Sequence, residues 1–440
     1  MSFIFINRRY MAITRVENIE FCTSAEIHRI QEKYLRRHLS YAADNSPFYR
    51  NLFRGTGISP AAVSLDSLAS LPFTDKQLLC TRNEEFLAVP SAQIVDIVLS
   101  SGTTGTPVAI MYTENDLQRL AYNEEVSFRS MGIGPHDRVL LTCTLDRCFI
   151  AGLAYFLGTR SVGAAAIRNG LGSVASHREI IERLKPTVIV GVPSFLRKLG
   201  TFLRTEGIDP TECGITKLVC IGEPVRDRNM DLLTEGTQLE QLWGARLFST
   251  YASSETITSF CECTARQGGH LHPELAVIEI IDDDGTVVPT GTTGEIVVTP
   301  LGIEGMPLVR FKTGDIGFQI DAPCSCGRNS VRLGPILGRK DQRLKVRGTT
   351  LYPNAIYAVL DSLPAVSDYY VTVSTVGNLS DTVTVSVAVQ DESCTASKIS
   401  DYVQDRLRVR VDVTIVNQEE ITTILSGGNP RKINRFVDKR

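Results

Sequence analysis

At 440 residues the chain is too long for one ordinary hydrophobic core, so two or three domains are expected. A hydrophobic share of 43% and a charged share of 22% are those of a soluble globular protein. A net charge of −3, with both signs interspersed, speaks against a nucleic-acid binder, and no apolar run is long enough to span a bilayer.

The N-terminal MSFIFINRRYM is too short in its apolar part for a signal peptide, and its basic residues follow that part instead of preceding it. Met11 offers an alternative start, and the cytoplasm is the expected compartment. Helical spacing runs over residues 27–53. In LPFTDKQLL either Thr74 or Asp75 is placed to cap a short helix. IVDIVLS, VAIMYT, RVLLTCT and TVIVGV read as strands. Between and after them, ENDLQRLAYNEEVSFRSM, HREIIERLK and PSFLRKLGTFLRTEG read as helices. This alternation predicts an α/β domain with mixed, mostly parallel sheets.

After about Tyr251 the texture changes to strands broken by DDDG and PTGTTG, which predicts antiparallel hairpins over roughly 251–337. From Gly338 a third texture begins, with strands DYYVTVST and TVTVSVAVQ, helix SKISDYVQDRLRVR and strand VDVTIV. The expected organisation is therefore a large domain over 1–337, including the β-rich part, and a small α+β domain over 338–440.

GTTG occurs twice. The copy in VVPTGTTGEIVV joins two alternating strands and reads as a turn in which glycine supplies positive φ. The copy in LSSGTTGTPV follows a strand, and its glycines let backbone N–H groups converge while Ser100, Ser101, Thr103 and Thr104 add hydroxyls. That combination suits a polyphosphate, although it is not a P-loop, since no lysine follows.

Eleven cysteines are mostly scattered singly, as small core residues of a reducing compartment. CEC and CSC stand apart. Cys263, His270, Cys324 and Cys326 make up a candidate ligand set for a tetrahedral structural zinc site, the alternative being unmetallated buried thiols; Cys261 and His272 are spare candidates, because each C-x-C and H-x-H offers two choices.

Taken with IGEPV (221–225), TYASSE (250–255), RFKTGDIG (310–317), GRKDQRLKVRGTTLYP (338–353) and PRKINRFVDKR (430–440), the SSGTTGTP loop resembles the adenylate-forming superfamily of acyl-CoA synthetases, adenylation domains and luciferases. The terminal R-x-x-D-x-R and the missing lysine after SSGTTGTP bring it nearest the phenylacetate–coenzyme A ligase branch. The resemblance implies that an acid, here an aromatic one, is activated by ATP to an acyl-adenylate and passed to coenzyme A. Transfer to a carrier-protein thiol, nucleotidyl transfer to a coenzyme hydroxyl and a non-catalytic nucleotide binder remain open alternatives.

It also implies roles. Ser100, Ser101, Gly102, Thr103, Thr104 and Gly105 would hold the phosphates. Gly222, Glu223 and Pro224 would lie along the adenine, with Tyr251 stacked on it and Ser254 close by. Glu255 would hold Mg²⁺, and Asp315 would accept the ribose hydroxyls beside Arg339. Lys432 would be the catalytic cation, although Arg431 stands where relatives have glycine. Asp341 would be the hinge of a mobile small domain, and Lys345, Arg347 and Gly348 would take coenzyme A. Phe149, Gly152 and Ala252 fall where relatives shape the acid pocket. Tyr155, Phe156 and Arg147 lie in or beside it, Arg147 as a partner for a second polar group on the acid. Relatives also suggest a homodimer.

Overall fold

The computed structural model describes residues 18–100, 107–346, 349–375, 381–391, 393–426 and 435–440. They form two compact units. The larger takes the described residues up to Asp231, then Gly236–Thr313 and Gly317–Ile336; the smaller takes Leu232–Glu235, Gly314–Ile316 and the described residues from Leu337 onward.

The helical spacing of 27–53 resolves into two helices, Ser24–Asn45 and Pro47–Thr56. Pro47 has no N–H to continue the first helix and forces Ser46 to an extended φ/ψ of −82°/125°. The first helix opens on a capping box between Thr23 and Glu26. Of the two candidate caps in LPFTDKQLL, Asp75 is the one used, its carboxylate accepting from Leu78 N–H at 2.8 Å. Thr74 is instead buried, its hydroxyl donating to the Val309 carbonyl at 2.8 Å.

Among the described residues the main sheet has nine strands. Ala165–Arg168, Arg138–Leu141, Val188–Gly191, Lys217–Ile221 and Arg246–Ser253 lie parallel in that spatial order. Thr258–Glu262, Gly269–His270, Arg332–Leu333 and Gln319–Ile320 continue it antiparallel. The change of direction at Ser253 is the change of texture read near Tyr251. Helices cover the parallel part, so its strands are apolar on both faces, and Val188, Ile189 and Val190 are wholly buried.

IVDIVL and AIMYT do not join this sheet, as a simple α/β alternation would have it. Ile94–Leu99 and Ala109–Thr113 pair antiparallel with each other, Leu99 opposite Ala109. The second GTTG closes the hairpin of Ala276–Ile281 with Gly294–Pro300; Gly291 has φ +85°, as a turn of this kind requires.

Helix Glu114–Ser130 faces the core with a polar stripe: Asp116, Arg119, Asn123, Glu124 and Ser127 are all buried. Helix Ile150–Ser161 packs beside it through Gly158, where a Cβ would fall 2.2 Å from Glu124 Cβ.

In the smaller unit Val366–Thr375 and Asp381–Val389 pair antiparallel, flanked by Phe436–Asp438 and Asp412–Ile415 in parallel. One face carries Val371, Val373, Val385 and Val387 against helices Pro353–Asp361 and Ala396–Leu407. Tyr370 and Ala388 alternate onto the other face, under Ile421 of helix Gln418–Ser426. Among the described residues no helix is long and apolar enough to cross a membrane.

Candidate active site

The neck of the serine-rich segment is fixed. Ser100 is buried; its N–H donates to the Val108 carbonyl at 2.9 Å and its Oγ accepts from Val108 N–H at 3.2 Å. Ser101, Gly102, Thr103, Thr104 and Gly105 lie outside the described residues.

The return strand from this neck reaches the TYASSE segment. Tyr112 is buried and its hydroxyl donates to the Ser254 carbonyl at 2.8 Å. Two motifs more than a hundred residues apart in sequence are thus joined through one hydrogen bond. Beside it, Ser253 Oγ donates to Glu255 Oε2 at 2.7 Å, and Lys76 Nζ lies 3.3 Å from Glu255 Oε1.

The turn that carries Glu255 is held from below. Ile257 has φ +49°, a conformation that a β-branched residue rarely adopts. Its N–H donates to the Ser253 carbonyl at 3.1 Å, and its own carbonyl accepts from the guanidinium of buried Arg119. Arg119 also donates to the carbonyls of Leu301 at 2.6 Å and Leu275 at 2.5 Å, and to Thr258 Oγ1 at 3.1 Å. Burial pulls its pKa down to about 10, which leaves it charged at neutral pH.

Tyr251, next to this turn, stacks on Phe260 with ring centroids 5.9 Å apart, while Ala252 is exposed. Gly222 has φ +75° with open space where a Cβ would stand, so backbone conformation explains this glycine. Glu223 accepts from Ser194 N–H at 3.0 Å and from Ser194 Oγ at 2.8 Å, which ties the segment to helix Pro193–Thr205. Pro224 is exposed.

The segment 144–156 also abuts the serine-rich neck: Leu99 N–H donates to the Cys148 carbonyl at 2.8 Å. Arg147 and Cys148 both take left-handed backbone, with φ 60° and 52°. Phe149 is half-buried, whereas Tyr155 belongs to the core, stacked on Phe128. Phe156 is half-buried beneath the guanidinium of Arg168, 5.0 Å from its ring centroid. Gly152 acts by close packing, since a Cβ there would meet the Thr144 carbonyl oxygen at 2.2 Å. A cavity of about 490 Å³ opens between residues 145–147 and 168–172, with Arg147 and Arg168 in its wall.

In the smaller unit, Asp315 is register partner to Arg339 across an antiparallel pair, with Arg339 Nε 3.2 Å from Asp315 Oδ1. Asp341 is exposed in a short 3₁₀ turn whose carbonyl accepts from Arg440 Nη2 at 3.1 Å. Arg440 also donates to the Arg343 carbonyl at 2.9 Å, and Arg435 pairs with Asp368 at 3.1 Å. The terminal R-x-x-D-x-R therefore fastens the last strand and the 341–343 segment. Lys345 is exposed, its backbone N–H on Asp381 at 2.7 Å. Arg347, Gly348, Arg431 and Lys432 lie outside the described residues.

The four zinc candidates come together. Ligand atoms of Cys263, His270, Cys324 and Cys326 all lie within 4.8 Å of one another. Cys263 Sγ is 3.6 Å from Cys324 Sγ, and Cys326 Sγ is 3.5 Å from His270 Nε2. Tetrahedral Zn–S bonds of ~2.3 Å place sulfurs about 3.8 Å apart, so the donor set fits. Burial, with the charges of Arg328 and Arg332, holds His270 down at about 3, so the imidazole is neutral, the form that ligates a metal; Nδ1 is 3.1 Å from Ser330 Oγ. Burial pushes the Cys263 thiol up to about 12 without a cation, which a bound metal would reverse. The alternates lie elsewhere: His272 Nε2 is 3.0 Å from Ser127 Oγ, and Cys261 packs with Glu124, Thr250 and Ser259.

The sequence reading missed Lys76, Arg119 and Tyr112. Lys76 sits in a segment read only for helix capping, and nothing local marks the other two.

A large unit built on a sheet that changes from parallel to antiparallel, followed by a small α+β unit, is the architecture of the adenylate-forming enzymes. Residues 26–303 match the AMP-binding enzyme family, and residues 348–440 match the AMP-binding enzyme C-terminal domain. The chain belongs to this family, in its phenylacetate–coenzyme A ligase branch. It is 33% identical to the phenylacetate–coenzyme A ligase of Thermus thermophilus, over 80% of this chain and 79% of that one. To the enzyme of the same name from Escherichia coli it is 28% identical, over 92% of this chain and 94% of the other. In fold it resembles a crystal structure of a 2-hydroxyisobutyryl-CoA ligase in the postadenylation state. The TM-score is 0.84 at 22% identity, covering 96% of this chain and 91% of that one.

Proposed function

We propose that the chain is an AMP-forming ligase that joins an aromatic carboxylic acid to coenzyme A at the expense of ATP. The observation that carries this reading is the Tyr112–Ser254 hydrogen bond, which holds the serine-rich neck and the Glu255 turn in one place. In the first half-reaction a carboxylate oxygen of the acid attacks the α-phosphorus of ATP, and pyrophosphate leaves. In the second, the thiolate sulfur of coenzyme A attacks the acyl carbon, and AMP leaves. Both steps gather negative charge, so the site must supply fixed donors and cations.

Ser100 and residues 101–105 cradle the phosphates. Gly222, Glu223, Pro224, Tyr251 and Ser254 border the base. Asp315 accepts the ribose hydroxyls, with Arg339 holding its carboxylate in place. Glu255 is the carboxylate for Mg²⁺, which neutralises phosphate charge when bound. Lys432 bridges the attacking carboxylate and the α-phosphate. Asp341 is the hinge between the two half-reactions, and Lys345, Arg347 and Gly348 line the path of the pantetheine arm. Phe149 and Ala252 border the aromatic acid, and Gly152 sets the position of that wall. The Cys263–His270–Cys324–Cys326 cluster holds a structural zinc.

The test is AMP release across a panel of aryl, arylacetic and aliphatic acids with free coenzyme A. Aromatic acids should lead by at least tenfold in kcat/KM. Turnover that appears only with a phosphopantetheinylated carrier protein would overturn the choice of acceptor.

A further inference from the structure

Glu255 already has a cation beside it. Lys76 Nζ stands 3.3 Å from Oε1, while Oε2 accepts from Ser253 at 2.7 Å. The Glu255 side chain is only 12% exposed, so a metal arriving at Oε1 and the ammonium compete for the same oxygen. Lys76 is moreover the first residue of its helix, where exposed N–H groups disfavour a positive side chain; the ion pair with Glu255 accounts for its place there. The backbone under it is fixed on both sides. Thr74 N–H donates to the Arg310 carbonyl at 3.1 Å, the Thr74 carbonyl accepts from Lys312 N–H at 2.8 Å, and Asp75 caps the helix. Any exchange is therefore confined to the lysine side chain, a compact charge on a flexible stem.

We infer that Lys76 is a place-holding cation: it occupies the Glu255 carboxylate until a divalent cation arrives with the nucleotide, then transfers to an anionic oxygen that the nucleotide brings. The inference rests on the reading of Glu255 as the metal carboxylate. Lys76 keeps Glu255 from binding free metal and becomes a positioning residue once the metal–nucleotide complex is bound.

The test is Mn²⁺ binding followed by electron paramagnetic resonance, without and then with ATP. Proteins are wild type, Lys76→Met, Lys76→Arg and Glu255→Gln. Without nucleotide, Lys76→Met should bind Mn²⁺ at least tenfold more tightly than wild type, and Lys76→Arg, which keeps the pair, should match wild type. With ATP the order reverses, and Lys76→Met binds Mn²⁺·ATP more weakly than wild type. Equal Mn²⁺ affinity for Lys76→Met and wild type without nucleotide, or none detectable in either, while Glu255→Gln loses Mn²⁺·ATP, overturns the inference and leaves the assignment of Glu255 standing. If Glu255→Gln binds Mn²⁺·ATP as wild type does, the assignment of Glu255 falls and the inference with it.

Discussion

Replacing Arg119 with methionine tests whether the buried polar stripe shapes the site. The substitution takes a donor from the carbonyls of Ile257, Leu275 and Leu301 and from Thr258 Oγ1, all buried with it. An unpaired buried acceptor costs roughly 1–3 kcal/mol. Relief of the arginine's own desolvation and the apolar contacts of methionine offset part of this, so about 3 kcal/mol of net destabilisation is expected. For a unit of this size that is a fall in melting temperature of roughly 4–5 °C. Activity should fall further than stability predicts. Without the clamp, Ile257 relaxes from φ +49° and the turn that presents Glu255 shifts with it. A displacement of about 1 Å at a reacting centre costs on the order of a hundredfold in rate. The assays are thermal melting, and pyrophosphate exchange at a temperature where the variant is folded, titrated with Mg²⁺. Arg119→Met should need more Mg²⁺ and exchange about a hundredfold more slowly. Exchange within twofold of wild type, with an unchanged Mg²⁺ optimum, would refute the positioning argument even if the melting temperature fell.

Other consequences concern the metal and buried carboxyls. Purified protein should contain one zinc per chain by plasma mass spectrometry, and Cys324→Ser should carry under a tenth of that and melt several degrees lower. A zinc-free wild type from zinc-supplemented cells would contradict the site. Burial pushes Glu124 up to about 7, only partly opposed by hydrogen bonds from Ser259 and Asn123, and among the described residues its Oε2 has no hydrogen-bond partner. Because the folded pKa is raised, the folded state binds the extra proton between about 4.5 and 7. Stability is therefore lost as pH rises through that window, by up to about 3 kcal/mol. Glu124→Gln should raise the melting temperature at pH 8 more than at pH 5, and an equal effect at both would show that Glu124 does not titrate there. Gly222→Val should weaken ATP binding at least tenfold by calorimetry, since valine strains a backbone at φ +75°; wild-type affinity would show that this turn does not serve the nucleotide.

What was legible in the sequence followed from short-range chemistry. Alternating strands and turn residues mark the hairpin over the second GTTG locally; each C-x-C is a local signal too, although the cluster itself joins segments 61 positions apart. Pro47 is the local signal for the break at Ser46, although helical spacing continues across it. The strands around the serine-rich loop are legible as strands, but that they pair only with each other is not, since pairing is decided by the fold as a whole. Helix Glu114–Ser130 buries a polar stripe in addition to Leu120, Tyr122 and Phe128. Nothing local marks Asn123, Ser127 and Arg119 as buried; their partners come from Ile257–Ser259, more than 130 positions on. Lys76 was hidden for a related reason: its partner lies 179 positions on, and only the fold sets the two side by side.

Acid-dependent exchange of labelled pyrophosphate into ATP isolates the adenylation step. Exchange is expected with an aromatic acid and not without acid, with a fall of at least a hundredfold in Glu255→Gln and in Lys432→Ala. Exchange that ignores the acid, or that persists undiminished in both variants, would contradict acid activation at this site.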